Sequence, residues 1–248
     1  MVRKRYARWM HASHAAMQPC SYVLMNVDEP RLRQLMQVFL TENRKLNLSA
    51  YRTEEHCWVG NVLDSLALLR AAEVLPFLAG VKRLLDIGTG GGFPLLPLAL
   101  CLPEVTCVGI DAVCKKADAV RCIVAALGIK NVDLRCVRAE EAGRDKSLRG
   151  SFDLVTARAV AALPVLLEYA APFLKVGGVC AFWKSIRIAN ELASSFRAQE
   201  LLGSPYLRTY TYDLGEEWGK RSIVFFRKTR ASAETYPRRT GLPKAKPL

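Results

Sequence analysis

Hydrophobic positions in the first third of the chain recur every three or four residues, as one face of an α-helix requires. One helix is predicted to begin at Asp28, with a proline in its first turn, and another to begin at residues 53–55 and end before Pro76. The two apolar faces consist of Leu32, Leu35, Met36, Phe39 and Leu40, and of Trp58, Val62, Leu63, Leu66 and Leu69. The pattern predicts a helical cap over residues 28–80.

From residue 81 onward, short apolar runs alternate with helical segments. Five strands are predicted at residues 81–87, 105–110, 132–137, 152–157 and 179–183, and helices at 95–102, 115–127, 160–174 and 186–202. Two late strands, at 207–212 and 222–227, have no helix between them. This alternation predicts an α/β fold with a doubly wound, mostly parallel sheet and one antiparallel strand. The main domain would span residues 81–227. It would follow a basic N-terminal tail (1–27) and the helical cap, and precede a basic C-terminal tail (228–248).

Composition excludes several classes of protein. The chain has 248 residues, of which 51% are hydrophobic, but no apolar run reaches the roughly 20 residues of a membrane span. The basic start is not followed by the apolar stretch of a secretory signal, so we expect no membrane association and a cytoplasmic protein. Three histidines without ligand spacing predict no metal site.

The cysteines form no C-x-x-C pair, and most lie within apolar strand or helix patterns. We therefore expect all of them to be buried free thiols of a reducing compartment. They are Cys20, Cys57, Cys101, Cys107, Cys114, Cys122, Cys136 and Cys180.

The net charge of +13 is concentrated at the two ends of the chain. Residues 1–10 contain four basic and no acidic side chains, and residues 228–248 contain six basic side chains and one acidic side chain. Such ends suit a polyanionic partner, typically nucleic acid, although solvated tails that only maintain solubility would have the same composition.

The segment with the strongest chemical signal is residues 84–94, LLDIGTGGGFP. An apolar strand breaks into four glycines within five residues and continues into a helical pattern. Glycines allow a tight turn and close approach of a ligand, and the N–H groups that begin a helix face that ligand. Phe93 stands where a dinucleotide fingerprint has its third glycine, and no P-loop lysine follows. The segment predicts a site for a nucleotide-like cofactor.

Polar residues follow the predicted strands at the edge where such sheets bind ligands. Asp111 could accept hydrogen bonds from ribose hydroxyls or cap the next helix, and Ala139 and Glu140 could line an adenine pocket. Arg158 could bind a cofactor carboxylate or an RNA phosphate. Lys184 could contact a phosphate or a nucleobase oxygen, or be a solvated lysine.

Several segments together resemble the RsmG (GidB) family of class I S-adenosylmethionine-dependent methyltransferases, which act on small-subunit ribosomal RNA. The glycine segment resembles the cofactor loop of that family. The other matching segments are NLS at 47–49, VLDSL at 62–66, ARA at 157–159 and YPRRTGLPKAKPL at 236–248. The resemblance covers residues 28–248, and its C-terminal segment is far more specific than a glycine loop.

The resemblance implies methylation of N7 of guanine 527, in the 530 loop of 16S rRNA, with S-adenosyl-L-methionine as the donor. The protein would work as a monomer on the small subunit or an assembly intermediate. The cofactor contacts carried over are Gly88, Phe93, Ala139, Glu140 and Arg158, with Asp111 added from the ribose argument. Basic residues assigned to RNA binding are Lys184, Arg238, Arg239, Lys244 and Lys246.

Guanine N7 carries a lone pair and no proton, so no general base is required, and no catalytic residue is assigned. The sequence departs from the family pattern at Asn61, where histidine is usual, at Leu95, where glycine is common, and at Trp183, near a usual Lys-Gly. These departures bear on RNA docking rather than on the cofactor.

Two rival functions are an RNA-binding assembly factor without catalysis and, less well supported, a nicotinamide oxidoreductase. The pair Pro19-Cys20 resembles the cysteine nucleophile used in pyrimidine C5 methylation. Because it lies outside the predicted sheet, we attribute this match to chance.

Overall fold

A computed structural model describes residues 28–248, so the predicted N-terminal tail and Cys20 lie outside the described part of the chain. Seven strands form one sheet. They are β1 (Arg83–Ile87), β2 (Thr106–Asp111), β3 (Val132–Cys136), β4 (Phe152–Arg158), β5 (Leu174–Ser185), β6 (Tyr206–Asp213) and β7 (Lys220–Arg227).

The strand order is β3-β2-β1-β4-β5-β7-β6. The first five strands are parallel neighbours, whereas β7 runs antiparallel between β5 and β6. The strand order changes direction between β1 and β4, which is the point where a doubly wound sheet opens a crevice at the carboxyl ends of its strands. The predicted α/β fold with one antiparallel strand is confirmed.

Helices cover both faces of the sheet. They are α1 (Glu29–Leu46), α2 (Glu54–Cys57), α3 (Asp64–Val74), α4 (Leu95–Cys101), α5 (Cys114–Ala126), α6 (Ala139–Ala142), α7 (Leu163–Ala170), α8 (Ala189–Ser194), α9 (Phe196–Leu202) and α10 (Leu242–Ala245). One apolar core joins α1, α3, α4 and α5 to one face of the sheet. A second core joins α7 and α9 to the other face. Alternate residues of each strand supply the two cores.

The cap helices begin where their sequences predict. Asp28 accepts a hydrogen bond from the backbone N–H of Arg31, and Thr53 accepts one from that of His56. All five residues of the predicted apolar face of α1 are buried. The cap therefore packs against the main domain through the same positions that the periodicity singled out.

A π-helical segment, Trp58–Leu63, links α2 to α3. Such segments hold one extra residue per turn and are frequent at functional sites. Gly60 lies inside it, and a Cβ on Gly60 would be 2.3 Å from Cε2 of Tyr51. The glycine therefore lets the tyrosine ring lie against the helix backbone.

Three predicted elements have wrong bounds. The predicted helix over residues 160–174 spans only Leu163–Ala170, since Pro164 lies in its first turn and the chain enters β5 at Leu174. The predicted helix over residues 186–202 is divided into α8 and α9 at Ser195, whose hydroxyl donates to the carbonyl of Leu192 and competes with the helical pattern. The fifth strand begins at Leu174 rather than 179, because the chain around Gly177 stays in the sheet through an irregular register with β4.

The expectation that all cysteines are free thiols is wrong for Cys114 and Cys136, which form a disulfide. The register of β2 and β3 pairs Asp111 with Cys136, so Cys114, at the start of α5, comes within reach. The separation of 22 positions between the two cysteines concealed this pairing in the sequence. Cys122 is free but exposed, whereas Cys57, Cys101, Cys107 and Cys180 are free and buried.

Residues 228–248 pack against the main domain. Arg238 forms an ion pair with the fully buried Glu168 of α7, at 2.6 Å, and its backbone N–H also donates to that carboxylate. Arg149 donates to the carbonyls of Tyr236 and Ser232. Lys228 is buried, and burial lowers its pKa to about 8. Part of the positive charge by which residues 228–248 were predicted to be a basic tail therefore holds this segment in place.

Within residues 28–248, no helix combines the length and apolar character that a membrane crossing needs.

Replacing Arg238 by alanine is expected to lower the free energy of unfolding by about 3 kcal/mol or more, since it leaves the buried Glu168 carboxylate without its cation. Arg239→Ala is the matched control, because Arg239 is exposed, and a change within about 0.5 kcal/mol is expected. Urea denaturation followed by circular dichroism measures both. Equal stabilities of the two variants would contradict the structural role of Arg238.

Candidate active site

The glycine-rich loop between β1 and α4 follows a path that glycine favours. Gly88, Gly90 and Gly92 have φ angles of 67°, 55° and 89°, which residues with a Cβ rarely adopt. The N–H groups of Gly88 and Thr89 both donate to the carbonyl of Ile110, at 2.8 and 3.1 Å. The loop is thereby held at the carboxyl end of β2.

Steric crowding also restricts two of these positions. A Cβ on Gly88 would lie 2.7 Å from Cγ2 of Val160, and one on Gly92 would lie 2.7 Å from Cδ1 of Leu96. The loop can approach the end of β4 closely only because Gly88 lacks a side chain, and Gly92 likewise leaves room for Leu96 of α4. The predicted glycine corner therefore has the backbone shape of a ligand cradle.

Asp111 lies at the carboxyl end of β2, beside the glycine loop. Its Oδ2 accepts a hydrogen bond from the N–H of Gly90, and its Oδ1 accepts one from the N–H of Val113, both at 2.8 Å. Each carboxylate oxygen can accept a second hydrogen bond. Asp111 thus anchors the loop and the start of α5, and it keeps lone pairs for a ligand.

Asp86, near the end of β1, carries an incompletely satisfied buried carboxyl group. Thr156 donates to its Oδ1 at 2.7 Å, whereas Oδ2 and the Thr89 hydroxyl have no hydrogen-bond partner within residues 28–248. Burial raises the pKa of Asp86 to about 7, partly opposed by the hydrogen bond from Thr156, by the nearby Thr89 hydroxyl, whose geometry falls short of a hydrogen bond, and by the charge of Arg158. Polar atoms that are buried and unpaired beside the glycine loop fit a ligand that supplies their partner.

Phe93 is buried after the last glycine. Its ring lies 4.9 Å from that of Phe39 in α1, edge to face, and the guanidinium of Arg158 lies 5.9 Å from its centroid. Phe93 therefore joins the loop to the cap.

Ala139 and Glu140 begin α6, after β3. Glu140 is buried, and its Oε1 accepts the N–H of Gly241 at 2.9 Å. Burial, together with the charge of Glu140, raises the pKa of Tyr169 to about 12. The Glu140 carboxylate thus holds the C-terminal segment next to the predicted adenine pocket.

Arg158, at the end of β4, binds the cap. Its Nη1 donates to the carbonyl of Gly60 at 2.9 Å and to Oδ2 of Asp64 at 2.8 Å, and its Nη2 donates to Oδ1 of Asn61 at 2.8 Å. Asp64 also accepts from the hydroxyl of Tyr212 at 2.6 Å. Burial and this carboxylate raise the pKa of Tyr212. These contacts use three of the five N–H groups of Arg158.

The residues expected to contact RNA differ in their surroundings. Lys184 is largely buried, donates to the carbonyl of Ala161 at 2.6 Å and forms an ion pair with Glu191. Arg238 is held by its ion pair with Glu168. In contrast, the three remaining cations of this set are exposed: Arg239, Lys244 and Lys246.

A cavity of about 470 Å³ opens between the cap and the carboxyl ends of β4 and β5. Ala159 lines it with a φ angle of 57°, an uncommon conformation for a residue with a side chain and one that recurs at functional sites. The other lining residues are Ser49, Ala50, Tyr51, Gly60, Asn61, Asp64, Arg158, Trp183, Lys184, Ser185, Tyr212 and Arg221.

Sequence reasoning did not identify Tyr51, Arg221 or Ala159 as site residues. Tyr51 lies in the connection between two cap helices, and Arg221 lies in a strand distant in sequence from the glycine loop. One available signal was Gly60, because an isolated glycine within a helical pattern indicates a close approach of another group. Within residues 28–248, no group of three His, Cys, Asp or Glu side chains is placed to hold a metal ion.

Residues 28–212 match the family model described as rRNA small subunit methyltransferase G. The chain is 40% identical over 220 residues to the "Ribosomal RNA small subunit methyltransferase G" of Deinococcus radiodurans, with 89% of this chain and 85% of that protein covered. It is 40% identical over 206 residues to the protein of the same name from Desulfitobacterium hafniense, with 83% of each covered.

Among solved structures, the chain is similar to an O-methyltransferase from Bacillus cereus in complex with SAH and to TomG from Streptomyces achromogenes in complex with SAM. Each has a TM-score of 0.54 and 17% sequence identity. Each comparison covers 79% of this chain, with 91% and 90% of the respective neighbours. These similarities show a class I methyltransferase fold.

Asp86→Asn is expected to change how stability depends on pH. The pKa of Asp86 is about 7 in the folded protein, against 3.8 for an ordinary aspartate. Between these values the folded state holds a proton that the unfolded state releases, so this residue makes stability fall as pH rises through the window. In urea denaturation, the free energy of unfolding of the variant should therefore depend less on pH between about pH 4 and 7 than that of the wild-type protein. An unchanged slope would mean that Asp86 is already charged when the protein is folded.

Proposed function

The chain belongs to the small-subunit rRNA methyltransferase G family, and from this premise we propose that it transfers a methyl group from S-adenosylmethionine to 16S rRNA. The proposed acceptor is N7 of guanine 527 in the 530 loop. The observation that carries the proposal is the family match, because it extends over both the cap and the sheet. The glycine corner and the cavity lie where these two parts meet.

The residues of the glycine corner fit an adenosine-containing cofactor. The loop backbone can approach a ligand closely, and Asp111 retains lone pairs for ribose hydroxyls. Arg158 retains two N–H groups that could bind a carboxylate, and the unpaired Oδ2 of Asp86 could accept from an ammonium group. The complete proposed set is Gly88, Phe93, Asp111, Ala139, Glu140 and Arg158.

When bound, S-adenosylmethionine supplies a methyl group activated by a sulfonium charge. The acceptor N7 of guanine has a lone pair and no proton, so the protein does not need a general base. The contribution of the protein is to hold the two reactants in line and to exclude water. Arg158 suits this task, because its contacts with Gly60, Asn61 and Asp64 fix the cap over the glycine corner.

The RNA partner is proposed to be the small ribosomal subunit or one of its assembly intermediates, met in the cytoplasm by a monomeric enzyme. N7 of a paired guanine faces the deep, narrow major groove of an A-form helix, which side chains enter poorly. The target base would therefore be unpaired or unstacked when it reacts. The exposed cations Arg239, Lys244 and Lys246 lie on the C-terminal segment, where they could contact phosphates.

Gly88→Val is expected to abolish S-adenosylmethionine binding, because the side chain is disfavoured at a φ of 67° and would clash with Val160. Gly128→Val is the matched control. Gly128 also has a positive φ, of 61°, but its Cβ would meet nothing within 4 Å. Isothermal titration calorimetry measures both affinities. Retained affinity in Gly88→Val would refute the site, and a wild-type protein without affinity would favour the non-catalytic RNA-binding factor.

Purified protein is expected to transfer labelled methyl groups to small-subunit particles from cells that lack it, and not to particles from cells that contain it. Mapping of 7-methylguanosine in the product should give a single position in the 530 loop. If the methyl group is transferred to a different base, the proposed methyltransferase activity stands and the proposed target nucleotide is refuted. Absence of transfer to both particles and free 16S rRNA would refute the proposed activity.

A further inference from the structure

A row of three aromatic rings leads from the surface to the cavity. Tyr51 lines the cavity, and the ring of Trp218, from the loop between β6 and β7, lies 5.3 Å from it at an interplanar angle of 66°. His56 lies on Trp218, at 5.6 Å and 73°. The row joins the cap to the far end of the sheet, and only its innermost ring, Tyr51, is a lining residue of the cavity.

Gly60 fixes the position of this row. A Cβ on Gly60 would lie 2.3 Å from Cε2 of Tyr51 and 2.7 Å from Cζ3 of Trp218. Real Cβ atoms essentially never come this close to other atoms, so a side chain at residue 60 would displace both rings. The carbonyl of Gly60 also accepts from Arg158. Gly60 thus fixes the positions of both aromatic rings and also helps to hold the guanidinium of Arg158.

Arg221 brings an unsatisfied donor to the same cavity. Its buried Nε has no hydrogen-bond partner among the described residues, and the nearest carboxylate oxygen, Oδ1 of Asp64, is 3.9 Å away. Its side chain remains 36% exposed. By contrast, Arg158 and Lys184 contact their carboxylate partners at hydrogen-bond distance, whereas Arg221 makes only this longer ion pair with Asp64. Arg221 is therefore the lining cation that is held least closely by a carboxylate, and its exposed part can bind a further anion.

An aromatic ring and a guanidinium that line one cavity suit a nucleotide whose base is unstacked from its strand. Proteins bind such bases by stacking them on aromatic side chains and by pairing their phosphates with cations. The cavity volume of about 470 Å³ lies within the range of small-molecule sites. The chemistry of the lining residues thus matches a base and its phosphate.

We propose that the cavity receives the unstacked target nucleotide, with its base stacked on Tyr51 and its phosphate bound by Arg221. Trp218 and Gly60 are positioning residues that hold the Tyr51 ring. The inference rests on the proposed function, since it assigns the nucleotide subsite of that reaction. It adds a role for three aromatic or glycine positions and one arginine outside the glycine corner.

Binding of short RNA tests the stacking without requiring methyl transfer. The probes are a five-nucleotide single-stranded RNA with a central guanosine and the same RNA with an abasic centre, each bound in the presence of S-adenosylhomocysteine and followed by fluorescence anisotropy. Wild-type protein should bind the guanosine probe about tenfold more tightly, as expected for loss of one stacked base. Tyr51→Leu should remove this difference, and Tyr51→Phe should keep it.

Trp218→Leu and Gly60→Ala should also reduce the difference, whereas Trp218→Phe should restore most of it. Tyr206→Leu is the control, because it removes a 41% exposed ring at the other end of β6. S-adenosylhomocysteine affinity and thermal unfolding establish that each variant is folded. The deciding variant is Tyr51→Leu, or Trp218→Leu if the first does not fold. If that variant keeps the tenfold preference for the guanosine probe, the stacking assignment is overturned.

Arg221→Gln should weaken both probes by the same factor and lower the slope of log affinity against log salt by about 0.7, as for loss of one phosphate contact to a single strand. A loss confined to the guanosine probe would overturn the phosphate assignment.

Kinetics on small-subunit particles then separate the proposed subsite from the proposed function. Tyr51→Leu should raise KM for particles with little change in KM for the cofactor. If wild-type protein methylates particles and Tyr51→Leu has unchanged kinetics, the subsite fails and the function stands. If no methyl is transferred but the probe preference depends on Tyr51, the function fails and the subsite stands.

Discussion

The guanidinium of Arg158 joins the two parts of the molecule that must cooperate. It extends from the end of β4 to Gly60, Asn61 and Asp64 of the cap, and Asp64 in turn accepts from Tyr212 on β6. The Asp64 side chain is only 3% exposed. Removing one partner would leave a buried charge uncompensated, so the ion pair makes the position of the cap depend on the sheet. The cavity derives its shape from this position, because Gly60, Asn61, Asp64 and Arg158 all line it.

The departures from the family pattern also become interpretable around this ion pair. Asn61 accepts from Arg158, and the indole N–H of Trp183 donates to the backbone carbonyl of Asp64 at 2.9 Å. Both residues therefore support the cap rather than standing free in the cavity. Leu95 fills space elsewhere, since a Cβ on Gly109 would lie 2.6 Å from its Cδ2. An RNA-docking role for Asn61 and Trp183 would act through the shape of the cavity, which both residues line.

Charge along the chain predicted the partner better than it predicted the contacts. Arg238 and Lys228 contribute to the positive C-terminal segment, yet both are held by the protein itself. Their energetic role is to attach residues 228–248 to α7 and to the end of α9. The exposed Arg239, Lys244 and Lys246 remain the cations of this segment for which an RNA contact is proposed, and they are positioned because their neighbours are anchored.

The sequence by itself determined the strand and helix order, the capped starts of α1 and α2, and the glycine corner, because these depend on local periodicity, capping and backbone freedom. It could not determine that Cys114 meets Cys136, that the helix after β5 is interrupted at Ser195, or that Arg158 binds the cap. Nor could it bring Tyr51, Gly60, Trp218 and Arg221 to one cavity. Those contacts join residues far apart in sequence, and only the packing of the cap, the sheet register and the antiparallel β7 place them together. Local patterns specify elements, whereas the site depends on long-range contacts that no local pattern contains.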